Sequence, residues 1–129
     1  MPISVLLADN SEIMRKVIAG LLRSDPDIDV VAECVNFAQT MERASKLRPQ
    51  VIVLDVHMGD ERTVTPSHLK FGLTGSQLLA ISLWKDEETK ALAEKFGAAT
   101  LLDKANLVTA LIPAIKHYAS GSKRTPRSE

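Results

Sequence analysis

The sequence predicts an α/β protein in which a five-stranded parallel sheet is sandwiched by helices, and three observations lead there. Short apolar runs such as "ISVLLA" (3–8), "VIVLD" (51–55) and "SQLLAIS" (76–82) have strand length and little polar alternation, as strands buried on both faces do. Between the runs lie segments with apolar residues three and four apart, the period of an amphipathic helix. Strand and helix patterns alternate, and parallel neighbours need crossover connections of that kind.

Taken in order, "ISVLLA" reads as strand one and is followed by polar "DNSE" and a helix with Ile13, Val17, Ile18, Leu21 and Leu22 on one side. Ser24, Asp25 and Pro26 stop it, and "DIDVVAEC" (27–34) is strand two. A second helix spans "NFAQTMERASKLRP" (36–49), with Phe37, Met41, Ala44 and Leu47 as its stripe and Pro49 as its terminator. Strand three is "VIVLD". From Gly59 to Gly75 the chain carries Pro66 and Gly72 without a stripe, which predicts a third helix that is short, irregular or absent. Strand four is "SQLLAIS". "DEETKALAEKFG" (86–97) then forms a helix with acids in its first turn and Gly97 past its end. "ATLLDK" (99–104) is strand five, and "NLVTALIPAIKHYA" (106–119) a final helix striped by Leu107, Leu111, Ile115 and Tyr118. Pro113 predicts either a kink there or a helix whose regular part starts later. One domain is expected over 1–119, followed by a disordered polar and basic tail over 120–129 that includes "SKRTPR".

Composition narrows the function classes. The chain is 45% hydrophobic and 25% charged, and its 16 Lys and Arg balance 16 Asp and Glu, so no basic surface for nucleic acid is expected from the domain. No run approaches the length of a membrane helix, and "MPISVLLADN" lacks the basic start of a signal peptide, which points to a soluble, cytoplasmic protein without a membrane partner. The single Cys34 has no disulfide partner and reads as a small core residue. His68 and His117 lack partners at zinc spacing.

In an open α/β sheet, ligands bind beyond the carboxyl ends of the strands. The residues there are Asp9 and Asn10 after strand one, Asp55 after strand three, Ser82 after strand four and Lys104 after strand five. A carboxylate such as Asp55 can attack phosphorus and form an acyl phosphate. Asp9, Asn10, Asp55 and a backbone carbonyl near His57 form an oxygen-rich set suited to Mg²⁺. The Lys104 ammonium and Ser82 hydroxyl can each meet a further phosphoryl oxygen. The His57 ring reads as an exposed loop side chain, and Trp84 as loop packing.

"LLADNSEIMRKVIAGLL", "VIVLDVHM", "LLAISLWKDEETKALAEKFGAATLLDKANL" and "LIPAI" resemble the receiver domain of two-component response regulators over about residues 3–119. The resemblance implies a flavodoxin-like sheet of order 2-1-3-4-5. It also implies Asp55 as phospho-acceptor, Asp9 as one of an acidic pair, Ser82 as switch hydroxyl, Lys104 as phosphate-sensing lysine, and Mg²⁺ held partly by the His57 carbonyl. Asn10 stands where the family's second acid does, so metal affinity should fall. Gly59 replaces a common proline, Leu101 the aromatic switch residue, and Ala105 a cis-forming proline. The function implied is a phosphorylation-dependent switch, not a separate enzyme, taking its phosphoryl group from a histidine kinase or phosphotransfer protein. It would act on a downstream partner or an effector domain elsewhere, with homodimerisation left open. An atypical receiver that docks constitutively, with weak or no phosphorylation, is the alternative. A haloacid-dehalogenase-like phosphatase would want an aspartate where His57 stands, and a flavin or dinucleotide site a Gly- or Ser/Thr-rich loop after strand one.

Overall fold

The computed structural model describes residues 2–63 and 75–124, with side chains given for all of these except Thr63 and 121–124. Its strands are β1 (Ile3–Ala8), β2 (Ile28–Cys34), β3 (Val51–Asp55), β4 (Gln77–Ser82) and β5 (Thr100–Asp103). They pair in parallel in the order β2-β1-β3-β4-β5, as the resemblance implies. The helices are α1 (Glu12–Arg23), α2 (Phe37–Leu47), α3 (Glu87–Lys95) and α4 (Leu107–Arg124).

Alternation along the strands divides the interior into two cores. Leu6, Ala8, Ile52, Leu54, Leu78 and Ala80 face α2 and α3, where the Phe37 and Phe96 rings meet with centroids 4.8 Å apart. Val5, Leu7, Val51, Val53, Leu79 and Ile81 face α1 and α4. Each central strand is therefore apolar at successive positions, which is why strict alternation is missing from its sequence. Cys34 is buried.

Several side chains lie elsewhere than the periodicity suggests. The core row of α1 is Met14, Ile18 and Leu22, four residues apart, whereas Ile13 (79% exposed) and Val17 (55%) fall in the adjacent row and face solvent. In α2, Leu47 is exposed and Thr40 is buried instead, its hydroxyl donating to the Asn36 carbonyl at 2.7 Å. Trp84 is 60% exposed rather than packed. Asp86 precedes the first turn of α3 and caps it, its Oδ1 accepting from the Thr89 N–H at 2.9 Å.

α4 starts at Leu107 and runs through Pro113, so of the two expectations for that proline the late start does not hold. A 3-10 turn, Lys104–Asn106, precedes it. Another, Glu61–Thr63, follows β3. The remainder of the irregular segment, 64–74, lies outside the described residues, as do residues 125–129 of the tail. No helix among the described residues is long and apolar enough to cross a membrane.

Candidate functional site

The site is built at the carboxyl edge of the sheet, where β1 and β3 are neighbours in register and β4 and β5 lie beyond them. Asp9 follows β1 directly. Its backbone N–H donates to the Cys34 carbonyl at 3.0 Å, while its Oδ1 accepts the Ser11 N–H at 2.9 Å, so the side chain is turned inward and fully buried. Ser11, not Asn10, caps α1, accepting the Met14 N–H on Oγ at 3.2 Å.

Asp55, the last residue of β3, is 4% exposed. Its Oδ1 accepts the His57 backbone N–H at 2.9 Å, and its Oδ2 lies 3.3 Å from Lys104 Nζ. The same ammonium lies 2.8 Å from Asp9 Oδ2. Lys104 thus reaches back from the end of β5 and places one cation between two carboxylates, with its own side chain 6% exposed. Burial pushes the Asp55 carboxyl above the ordinary carboxylate range and the Asp9 charge adds to this, against the His57 N–H and the Lys104 charge, which oppose it.

Ser82 is buried at the end of β4, where its Oγ accepts the Trp84 N–H at 3.0 Å. Asn10 is exposed and donates from Nδ2 to the Met58 carbonyl at 3.4 Å, a long contact that joins the loop after β1 to the loop after β3. The five strand-end residues therefore do share one edge of the sheet, and three of them, Asp9, Asp55 and Lys104, are in direct contact.

A hard cation is compatible with these groups. Asp9 Oδ2 is a buried acceptor with no hydrogen bond among the described residues, since the Lys104 ammonium meets it as an ion pair outside hydrogen-bond geometry. It and Asp55 Oδ2 both contact the Lys104 ammonium, and carboxylate oxygens are the ligands Mg²⁺ prefers. Among the described residues no three His, Cys, Asp or Glu side chains cluster as metal ligands, so a metal here would depend on carbonyls and water for the rest of its shell.

The His57 ring is not a free loop side chain. Its Nε2 lies 2.9 Å from Thr89 Oγ1 in α3, and its Nδ1 3.9 Å from Glu61 Oε2. The same loop is held on its other side by Asp60, whose carboxylate accepts the N–H groups of Phe37 and Ala38 at the start of α2, at 3.0 to 3.3 Å. Thr89, Glu61 and Asp60 were not among the residues marked out by the sequence. An acid beside Gly59 carries no local sign that its partner is a helix 22 residues earlier. Leu101, in place of an aromatic residue, packs partly buried against the core.

A family model for the response regulator receiver domain matches residues 5–116. The chain belongs to the receiver domain family. Among curated proteins, the receiver is 43% identical over 101 residues to a protein-glutamate methylesterase/protein-glutamine glutaminase of Shewanella frigidimarina, covering 78% of this chain and 25% of that protein. It is 26% identical over 125 residues to the transcriptional regulatory protein LnrK of Bacillus subtilis, covering 96% of this chain and 57% of that one. The chain thus spans a quarter to about half of these relatives. Its fold matches the signal receiver domain of the putative response regulator NarL from Mycobacterium tuberculosis (TM-score 0.81, 24% identity, 93% and 98% of the two chains). It also matches the response regulator domain of Thermotoga maritima CheB (TM-score 0.78, 22% identity, 93% and 98%). Two relatives whose full chains carry different names thus share one receiver, so this domain does not by itself indicate what an attached effector does.

Proposed function

We propose that this receiver is a phosphorylation switch whose acceptor is Asp55. The observation that carries the reading is the Lys104 ammonium held between the buried carboxylates of Asp9 and Asp55 at 2.8 and 3.3 Å. Buried charges of this kind are costly unless paired, and an arrangement of one cation and two anions has a net negative charge that a metal or a changed acceptor can relieve. The donor is a phosphohistidine on a histidine kinase or phosphotransfer protein. Its phosphorus–nitrogen bond breaks as the bond from an Asp55 carboxylate oxygen to phosphorus forms, and the released imidazole takes up a proton from solvent.

Asp9, Asn10, Asp55 and the His57 carbonyl would hold Mg²⁺, whose charge, when bound, neutralises the phosphoryl oxygens during transfer. Lys104 leaves Asp55 to pair with a phosphoryl oxygen and keeps Asp9 as its second partner. The Ser82 hydroxyl, whose oxygen accepts the Trp84 N–H, donates its own proton to another phosphoryl oxygen. The domain acts on no separate substrate and catalyses only its own phosphorylation and dephosphorylation, in the cytoplasm. The face formed by α4, β4 and β5 would then change its affinity for a downstream protein or an attached effector.

A second reading, constitutive docking without phosphorylation, is favoured by one observation. Asn10 already ties its loop to the Met58 carbonyl without a cation. The two separate in a titration of Trp84 fluorescence with beryllofluoride, an acyl-phosphate mimic, over a series of Mg²⁺ concentrations. A saturable, Mg²⁺-dependent change that is absent in Asp55→Asn supports the switch. A flat response there and in phosphotransfer assays supports docking alone.

A further inference from the structure

A hydrogen-bonded path leads from Asp55 into helix α3. Asp55 Oδ1 accepts the backbone N–H of His57 at 2.9 Å, and the ring of the same residue reaches Thr89 Oγ1 at 2.9 Å. Thr89 is fully buried in the first turn of α3. Its backbone N–H donates to the Asp86 cap at 2.9 Å, and Thr89 holds that carboxyl below its ordinary range. A hydroxyl both donates and accepts, so Thr89 Oγ1 pairs with His57 Nε2 in either tautomer of the ring. On the other side of the ring, Glu61 faces Nδ1 and anchors the loop by accepting the Gly59 N–H at 2.7 Å. The loop beyond Asp55 and the start of α3 are therefore one hydrogen-bonded unit.

We infer that the His57–Thr89 hydrogen bond transmits the state of Asp55 to α3, with Thr89 as a positioning residue acting through His57. The inference rests on reading Asp55 as the acceptor. Esterification of the carboxylate removes charge from the oxygen that receives the His57 N–H, which weakens that bond and frees the loop to shift. Because the ring is fixed to Thr89, a shift of the loop pulls on the first turn of α3. The consequence is local: Lys90 of α3 lines a cleft of about 300 Å³ with Trp84 and Leu101, and moving α3 reshapes that cleft.

The test is an amide NMR titration of the whole chain with beryllofluoride and Mg²⁺, in wild type, Thr89→Val and Thr89→Ser. Valine keeps the shape and removes the hydroxyl, whereas serine restores it. In Thr89→Val the shifts at Asp55 and Lys104 are expected to persist while those of α3 fall to less than about half. Beryllofluoride affinity is expected to change by roughly two- to tenfold, the range of one net hydrogen bond, because coupling between two sites is reciprocal. Thr89→Ser is expected to follow the wild type. His57→Leu breaks the same bond from the other end, and the double variant is expected to lose no more α3 response than either single one. Wild-type α3 shifts in Thr89→Val, a serine variant that behaves as valine does, or additive losses in the double variant would each overturn the inference. Absence of any saturable shift at Asp55 and Lys104 in the wild type would overturn the acceptor reading, and this inference with it.

Discussion

Asp55 is held in a state it does not prefer. Its carboxyl pKa is raised, first by burial, so the folded protein takes up a proton there more readily than the unfolded chain does. Stability from this group is therefore complete below the ordinary carboxylate value and is lost as pH rises through the folded one. At neutral pH the ionised side chain opposes folding. In metal-free buffer, Asp55→Asn is expected to stabilise the protein at pH 7. The gain should be smaller at about pH 3, below the ordinary carboxylate value, where most wild-type Asp55 is protonated in both states. Urea unfolding at the two pH values measures it, and a destabilised variant at pH 7 would show that the Lys104 pairing outweighs desolvation. The stored cost is consistent with a site that gains by acquiring a cation or losing a charge.

At the scale of elements, helix faces and helix ends are decided separately. Ile18 lies in the core row of α1 and Val17 beside it in solvent. Ile18→Ala should cost about 2–4 kcal/mol in urea unfolding, whereas Val17→Ala should stay within about 0.5 kcal/mol. Asp60 is the element-scale device that joins the acceptor loop to α2 by taking two of the helix's unsatisfied N–H groups. Asp60→Ala should destabilise the fold by about 1 kcal/mol and speed hydrogen exchange at Phe37 and Ala38, with little effect on exchange in α4. Apolar residues at helical spacing were legible in the sequence. Which of two adjacent rows meets the sheet was not, because Ile13 and Val17 are as apolar as the residues that are buried.

At the scale of the molecule, the site exists only when β1, β3, β4 and β5 are in register. Asp9 and Lys104 are 95 positions apart in the chain and make a 2.8 Å contact. Ligands that bind this edge bind the folded state alone, so their free energy adds to stability. Beryllofluoride with Mg²⁺, at a hundredfold excess over its dissociation constant, should stabilise the wild type by about 2.7 kcal/mol and leave Asp55→Asn unchanged. Thermal or urea unfolding with and without the mimic reports the difference. Equal stabilisation of both proteins would place the ligand somewhere other than Asp55.

The amino-acid sequence by itself determined the alternation of strands and helices and the polar residues at the ends of four of the five strands. Those are local properties, set by apolar runs, by turn residues and by where a strand must meet water. It also carried the family pattern, because Asp9, Asp55, Ser82 and Lys104 keep their places relative to those strands. Tertiary structure alone decided how those residues meet. The ion-paired position of Lys104, the anchoring of the His57 ring on Thr89 and the capping of α2 by Asp60 join residues 22 to 95 positions apart. No periodicity or local propensity reports such contacts. They depend on which strand ends and helix starts the parallel sheet brings together, and on the burial that makes an unpaired charge or hydroxyl there too costly to leave alone.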